Sequence, residues 1–328
     1  MDADLDPTRF TIQHTEVRGF RQAYVHEGTG GVPLLLVHGW PESKRIWWKV
    51  IELLAAAGFE VIVPDLRGFG DSEIGPADDD HGDVASHSRD LHALLTEELR
   101  HERVVLAGGD LGGPIVQDMG LRVPELVERL VLFNSPLPYD KERMAGLATR
   151  PAAEAGDYFI RQATDADGLA AELDTPEQRR RYIATFYTSR FWGHPGAFAY
   201  RPALAATSPF GGGPVVDFHT EPFGDATTFR ASLRPYECAV NADLQSEPAL
   251  LAPNPDVEAL LLFGTSDHVL YPDFDRMAAE VFDHRVGPFL LRDCGHFVPW
   301  EAPGRFTSAV RVFCRDLLAS RAETGSRR

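Results

Sequence analysis

The stretch VVLAGGDLGGPIVQDM sets one aspartate, Asp110, between two pairs of glycines. The apolar run before it reads as a strand and the run after it as a helix. Asp110 therefore sits in a tight elbow with the spacing small-x-Asp-x-small, where bulkier neighbours would collide with the crossing strand and helix. A carboxylate held there, beside a helix N-terminus that favours its charge, is placed to act as a nucleophile. A glycine-rich turn with a helix-capping aspartate would have the same composition. Two further residues separate these readings. Asp267 in LLLFGTSDHVL and His296 in RDCGHFVPWE each follow a strand-like run. Nucleophile, acid and histidine then occur in that chain order, each at the C-terminal end of an expected parallel strand. Asn134 stands at another strand end where an acid could sit, but an amide cannot carry the charge, so Asp267 is preferred.

The identity of the nucleophile restricts the reaction. A serine attacking a carbonyl makes an acyl ester that water can cleave, whereas at a saturated carbon it would make an ether, a dead end. An aspartate at a saturated carbon makes an alkyl ester, which water can hydrolyse at the aspartate carbonyl. Asp110 thus points to cleavage of a carbon–oxygen or carbon–halogen bond at saturated carbon. His296 would activate water for the second step, with Asp267 orienting the imidazole.

These residues need a sheet to carry them. Strands are expected at 32–37, 60–63, 103–107, 130–133, 259–263 and 287–291, and helices at 47–57, 88–99, 112–119, 274–281 and 305–318. The alternation implies an α/β chain with a mostly parallel sheet and helices on both faces. The middle differs: residues 139–237 offer no clean strand run, only helix-like segments at 168–173, 176–188 and 227–236 and a Gly-Pro loop at 208–214. An insertion of that length fits a helical cap better than a loop. The expected division is core 1–138, cap 139–237 and core 238–328.

Composition narrows the class. The 328 residues are 44% hydrophobic, enough for a large core plus a smaller subdomain. Lys+Arg is 32 against 49 Asp+Glu, a formal net charge of −17, which argues against a nucleic-acid or anionic-membrane surface. The three cysteines, Cys238, Cys294 and Cys314, form no CxxC pair, so neither a disulfide framework nor a zinc site is indicated and a cytoplasmic setting is expected. No secretory signal or apolar run long enough to span a membrane is read, and the RAETGSRR tail is expected to fray.

With these motifs the chain resembles the α/β-hydrolase superfamily, and within it the epoxide hydrolases. The resemblance covers roughly residues 20–138 and 238–318. It rests on His38-Gly39-Trp40-Pro41 (an HGxP motif), the PDLRGFGDS stretch at 64–72, the Asp110 elbow, Asp267 and His296. It implies an α/β-hydrolase fold with an inserted helical cap, an oxyanion hole from the backbone N–H groups of Trp40 and Leu111, and a cis Trp40–Pro41 bond. It implies no cofactor and no metal. Two cap tyrosines would hold the epoxide oxygen: Tyr158 in GDYFIRQA, placed before a helix, and Tyr236 in LRPYECAV, whose neighbours Pro235 and Glu237 depart from the family's Trp-Tyr-Arg pattern. Tyr139, Tyr182, Tyr187 and Tyr200 compete with them.

The substrate would be a small apolar epoxide, in a pocket to which Trp40, Pro41, Trp192 and Phe191 contribute. The rival reading is a haloalkane or haloacid dehalogenase with the same nucleophile. By family resemblance haloalkane dehalogenases carry a Trp directly after it, where this chain has Leu111. A ligand-binding protein on the same fold is a third reading, and a homodimer is compatible with the sequence. Asp65 and Arg67 are read as bracing a turn, Asp78-Asp79-Asp80 as a solvated loop, Cys294 as packing, and His194 and His219 as too isolated to ligate a metal.

Overall fold

The computed structural model describes residues 3–76, 82–151, 153–195, 197–198 and 213–325. The acidic run at 78–80, Tyr200 and most of the loop at 208–214 lie outside the described residues. One sheet contains eight strands: β1 Gln13–Val17, β2 Phe20–Glu27, β3 Val32–Val37, β4 Phe59–Pro64, β5 Val104–Gly109, β6 Val127–Phe133, β7 Ala259–Gly264 and β8 Arg285–Leu291. Their order across the sheet is β1-β2-β4-β3-β5-β6-β7-β8. β2 runs antiparallel to β1 and β4, and all pairs from β4 to β8 are parallel.

The apolar runs account for the centre. Leu34, Leu35 and Leu36 of β3, Val61 to Val63 of β4 and Val104 to Leu106 of β5 are all fully buried. Each such aliphatic side chain contributes roughly 1.5–3 kcal/mol by leaving water. Helices α1 Trp48–Ala56, α2 Val84–Ala93 and α3 Gly112–Arg122 connect the first strands. Because β4 and β5 lie on opposite sides of β3, the chain reverses its direction of winding there. That reversal opens a crevice at the C-terminal ends of β3 and β5, where ligands bind in open α/β sheets.

Among the described residues, the stretch between β6 and β7 adds helices and no strand to the sheet. These are α4 Ala153–Thr164, α5 Ala166–Glu172, α6 Pro176–Tyr187, α7 Gly213–Thr220, α8 Ala226–Ser232 and α9 Arg234–Val240. The chain then continues through α10 Phe274–Val281, the single turn α11 Val298–Glu301, α12 Pro303–Phe313 and α13 Arg315–Gly325.

Several expectations change. β1 and β2 were not expected, because β2 reads FRQAYVHE and hides a buried strand behind polar letters. The segment expected as one helix at 227–236 breaks at Leu233, with Pro235 in the first turn of α9. The closing helix breaks at Cys314, and α13 carries helix through the tail as far as Gly325 where fraying was expected. The helix expected at 88–99 starts earlier and ends in a π-helical turn, Leu94–Glu98. No helix among the described residues is long and apolar enough to cross a membrane.

Candidate active site

Asp110 follows β5 and precedes α3, whose N-cap is Leu111. Its φ is +45°, the left-handed region that costs a non-glycine residue energy and that a surrounding structure must hold in place. The hold is visible: the Asp110 N–H donates to the Asn134 carbonyl at 2.9 Å, and the Gly113 N–H to the Asp110 carbonyl at 3.1 Å. The glycines are required by contact, since a Cβ on Gly108 would strike the Gly112 backbone and one on Gly39 would strike Asp110 itself. The Trp40 N–H donates to Asp110 Oδ1 at 2.8 Å. It is the hydrogen bond found on this carboxylate among the described residues. The Trp40–Pro41 bond is cis.

His296, after β8, is buried and reaches both carboxylates. Its Nδ1 lies 2.8 Å from Asp267 Oδ2, and its Nε2 lies 3.2 Å from Asp110 Oδ2. The second contact is an ion-pair distance without hydrogen-bond alignment, so that among the described residues Nε2 has no hydrogen bond. Burial alone would push this imidazole down. Asp267, followed by Asp110, outweighs burial and raises it well above an ordinary histidine. Asp267 is itself held: Oδ2 accepts from Asn134 Nδ2 at 2.7 Å, and Oδ1 from the Val269 and Leu270 N–H groups at 2.7 and 3.2 Å. Asn134 is thus not a failed acid. It braces the acid, and its own Oδ1 accepts from the Gly264 N–H at 2.8 Å.

Two carboxylates escaped the sequence reading. Glu301 of α11 accepts the Gly295 N–H at 2.8 Å and the Phe297 N–H at 3.0 Å, clamping both neighbours of His296, and also the His194 N–H at 2.8 Å. Glu42, buried one residue beyond Pro41, accepts the Gly39 N–H at 2.5 Å. Burial pushes its carboxyl up to about 7, with the charge of His296 opposing and that of Asp110 adding. The H-G-x-P-E spacing and the Glu five residues after His296 were the signals available for them.

Across from Asp110 lies a cavity of about 970 Å³, whose wall includes Trp40, Leu111, Pro136, Tyr158, Tyr236 and Leu270. Tyr158 sits inside α4, not before a helix, and Tyr236 lies in α9, which packs on α4. The Tyr158 ring stacks on Trp40 at 5.7 Å, and the Tyr236 ring meets Trp40 edge-on at 5.3 Å. Burial, then the Asp110 charge, raises the Tyr158 phenol well above 10, partly offset by a hydrogen bond to Tyr236. Burial, then Tyr158 and Asp110, raises Tyr236 likewise. Of the competing tyrosines, Tyr182 and Tyr187 are engaged elsewhere, and Tyr200 lies outside the described residues. The Tyr187 hydroxyl donates to the Pro41 carbonyl at 2.6 Å, Tyr182 Oη accepts from Gln162 at 3.1 Å, and Tyr139 is exposed.

The expected pocket wall needs correction. Trp40 lines the cavity, but Pro41, Phe191 and Trp192 are not part of its wall. They stand behind it as support. The Trp192 ring packs on His296 at 4.6 Å and its carbonyl accepts the His296 N–H, while the Phe191 carbonyl accepts the His268 N–H. Asp65 receives the Lys44 and Asp71 N–H groups, each at 2.8 Å, and Arg67 makes a two-pronged pair with Asp90 at 2.8 and 2.9 Å. Cys294 is buried and its thiol is pushed up by burial, away from thiolate chemistry.

A strained aspartate after a sheet strand, a histidine between two carboxylates and a helical cap define a class of protein. Residues 32–303 match the family model described as alpha/beta hydrolase fold. The chain belongs to that family and is a hydrolase, and within the family it is similar to epoxide hydrolases. Epoxide hydrolase A of Mycobacterium tuberculosis (strain ATCC 25618 / H37Rv) is 26% identical over 327 residues, covering 94% of this chain and 98% of that one. The soluble epoxide hydrolase of Corynebacterium sp. (strain C12) is 38% identical over 127 residues, 39% of this chain and 42% of that protein, so this match spans less than half of either. Among solved structures, epoxide hydrolase CorEH superposes with a TM-score of 0.76 at 24% identity, covering 94% of this chain and 99% of that one. The haloalkane dehalogenase DbeA from Bradyrhizobium elkani USDA94 does so at 0.71 and 20% identity, covering 95% and 99%. Both of these structural likenesses speak to the fold.

Proposed function

We propose that this protein is an epoxide hydrolase that opens a small, largely apolar epoxide to a vicinal diol through an ester on Asp110. One observation carries the reading: two phenols, the partly buried Tyr158 and the buried Tyr236, share a cavity wall with the Asp110 carboxylate. A departing epoxide oxygen becomes an alkoxide and needs O–H donors, and these phenols stay protonated far above neutral pH. A departing halide needs N–H donors, and the Trp40 indole N–H is turned away to Ser232 Oγ at 3.3 Å. We take residues 139–237 as the cap that supplies the phenols and residues 1–138 and 238–328 as the core.

In the first step an Asp110 oxygen attacks a ring carbon, the carbon–oxygen bond breaks, and the alkoxide takes a proton from a tyrosine. Esterification removes the Asp110 charge, one of the charges that hold His296 protonated. Its pKa falls, the Nε2 proton passes to the tyrosinate left by the first step, and Nε2 becomes a base. Nε2 then takes a proton from water, and the hydroxide adds to Cγ of the ester. The N–H groups of Trp40 and Leu111 hold the resulting oxyanion. The Cγ–O bond to the substrate breaks and the diol leaves, with one water oxygen retained in the Asp110 carboxylate. The proton of the new Asp110 carboxyl passes to the leaving oxygen, so that Asp110 is again a carboxylate and His296 is again protonated. Asp267, braced by Asn134, keeps Nδ1 protonated and Nε2 aimed at the ester.

The test is a panel of aliphatic, aryl and fatty-acid epoxides together with haloalkanes, with diol and halide followed by mass spectrometry. Diol from an epoxide, absent in Asp110→Asn, supports the reading. Halide release with no diol from any epoxide overturns it in favour of a dehalogenase.

A further inference from the structure

Three residues at the far end of the sheet converge without any part in this chemistry. His26 lies in β2 opposite Ile62 of β4, so Glu60, two residues before Ile62, is its diagonal neighbour on the same face. His101 comes from the link between the π-helical turn and β5, fixed there by its N–H on the Leu95 carbonyl at 2.9 Å. His26 Nε2 is 2.7 Å from Glu60 Oε1, and His101 Nε2 is 3.5 Å from the same oxygen. One ligand atom from each of the three lies within 4.8 Å of the others.

A hydrogen-bonded His26–Glu60 pair would explain two of these residues and not the third. Among the described residues the buried His101 Nε2 has no hydrogen-bond partner, which is costly for a ring nitrogen and calls for a ligand. The spacing suits an ion. Four donors placed tetrahedrally around zinc at about 2.1 Å lie about 3.4 Å apart, between the two distances found here. Two imidazoles and a carboxylate are also a donor set that suits zinc-like divalent ions. Glu60 Oε2 is occupied by the Gly30 N–H at 3.0 Å, which orients the carboxylate and leaves Oε1 facing the histidines. Arg321, whose Nε donates to the Gly30 carbonyl at 3.0 Å, is the nearby cation that limits affinity.

We infer that His26, Glu60 and His101 form a binding site for a zinc-like divalent ion, with a fourth position left to water. Glu60 pairs with Pro33 near the start of β3, whereas Asp110 faces the loop beyond its end. At about 3.3 Å per residue the two sites are on the order of 20 Å apart. The ion therefore acts as a clip that joins β2, β4 and the entry to β5, independent of the reaction proposed above.

The experiment strips the full-length protein with a chelator and titrates zinc against a chromophoric competitor. Cobalt serves as a second probe, through the visible absorption of a four- or five-coordinate site. The expected result is one ion per chain and a rise in Tm on zinc addition. His26→Ala and His101→Ala each weaken binding by about a hundredfold and lose the rise in Tm, while the variant of the exposed His284, His284→Ala, does neither. Glu60→Gln, which retains an acceptor for the Gly30 N–H, and His101→Gln serve as gentler variants, with circular dichroism to confirm folding. Failure to bind zinc stoichiometrically, or binding unchanged in folded His101→Gln and Glu60→Gln, overturns the inference.

Discussion

The sheet side and the cap side of the cavity are held by different forces. On the sheet side, Asp110, Asp267 and His296 are fixed by directional hydrogen bonds from Trp40, Asn134, Val269 and Leu270, with Glu301 clamping the backbone on either side of the histidine. On the cap side, Tyr158 and Tyr236 are fixed chiefly by ring packing. Tyr158 rests on Trp40, Phe186 and Trp192, and Tyr236 on Trp40 and Phe159. Hydrogen bonds to a carboxylate set angle as well as distance. Ring contacts, at about 0.5–1.5 kcal/mol each, set position and tolerate sliding. On the proposed function, the contrast would place the covalent chemistry on the sheet and the adaptation to different substrates on the cap.

The sharpest break in this contrast is on the sheet side. Asp110→Asn should lose about 10⁴-fold in kcat, and His296→Gln a similar amount while still forming the ester, as read by steady-state diol formation. Removal of one phenol should cost less. Tyr158→Phe and Tyr236→Phe are each expected to lose about 10²-fold in kcat/KM, by a factor that varies from one epoxide to another. A loss identical across substrates would mean that the cap is as rigid as the sheet. Glu301→Gln keeps the shape but weakens the clamp, and should lower kcat about tenfold with KM unchanged. An unchanged kcat would remove Glu301 from the account.

The remaining effect concerns stability. His87 is fully buried, neither ring nitrogen has a hydrogen-bond partner among the described residues, and burial pushes it down to about 3. Its folded pKa lies below its unfolded one, near 6.5, so the folded form resists protonation. Stability is then complete above about pH 6.5 and falls as the pH drops towards 3. At pH 5 the loss is about 2 kcal/mol. His87→Leu should flatten the acid side of a pH-dependent denaturation curve. If it falls as steeply as in the parent, another group causes the acid lability.

Much of this was legible in the sequence because it is local. The elbow at Asp110 needs only glycines, a strand and a helix that are adjacent in the chain, and β3 to β7 announce themselves as apolar runs. Asn134 was visible as a residue at a strand end, but its bonds reach Asp267 and Gly264, about 130 positions away, and no local pattern encodes them. Glu301 bonds backbone N–H groups, which carry no letter in a sequence. The pocket wall was misjudged at Phe191 and Trp192 because large aromatics suit a cavity wall and its backing equally well. His26, Glu60 and His101 come from three separate segments, so their convergence depends on the antiparallel β2, the strand whose polar letters concealed it.

The most direct test of the central claim is to mix His296→Gln with an epoxide that the parent enzyme converts, quench at intervals and weigh the intact protein. The account predicts a stable gain equal to one epoxide molecule, which peptide mapping assigns to Asp110. A variant that never gains that mass, or carries it on another residue, would contradict the two-step covalent mechanism.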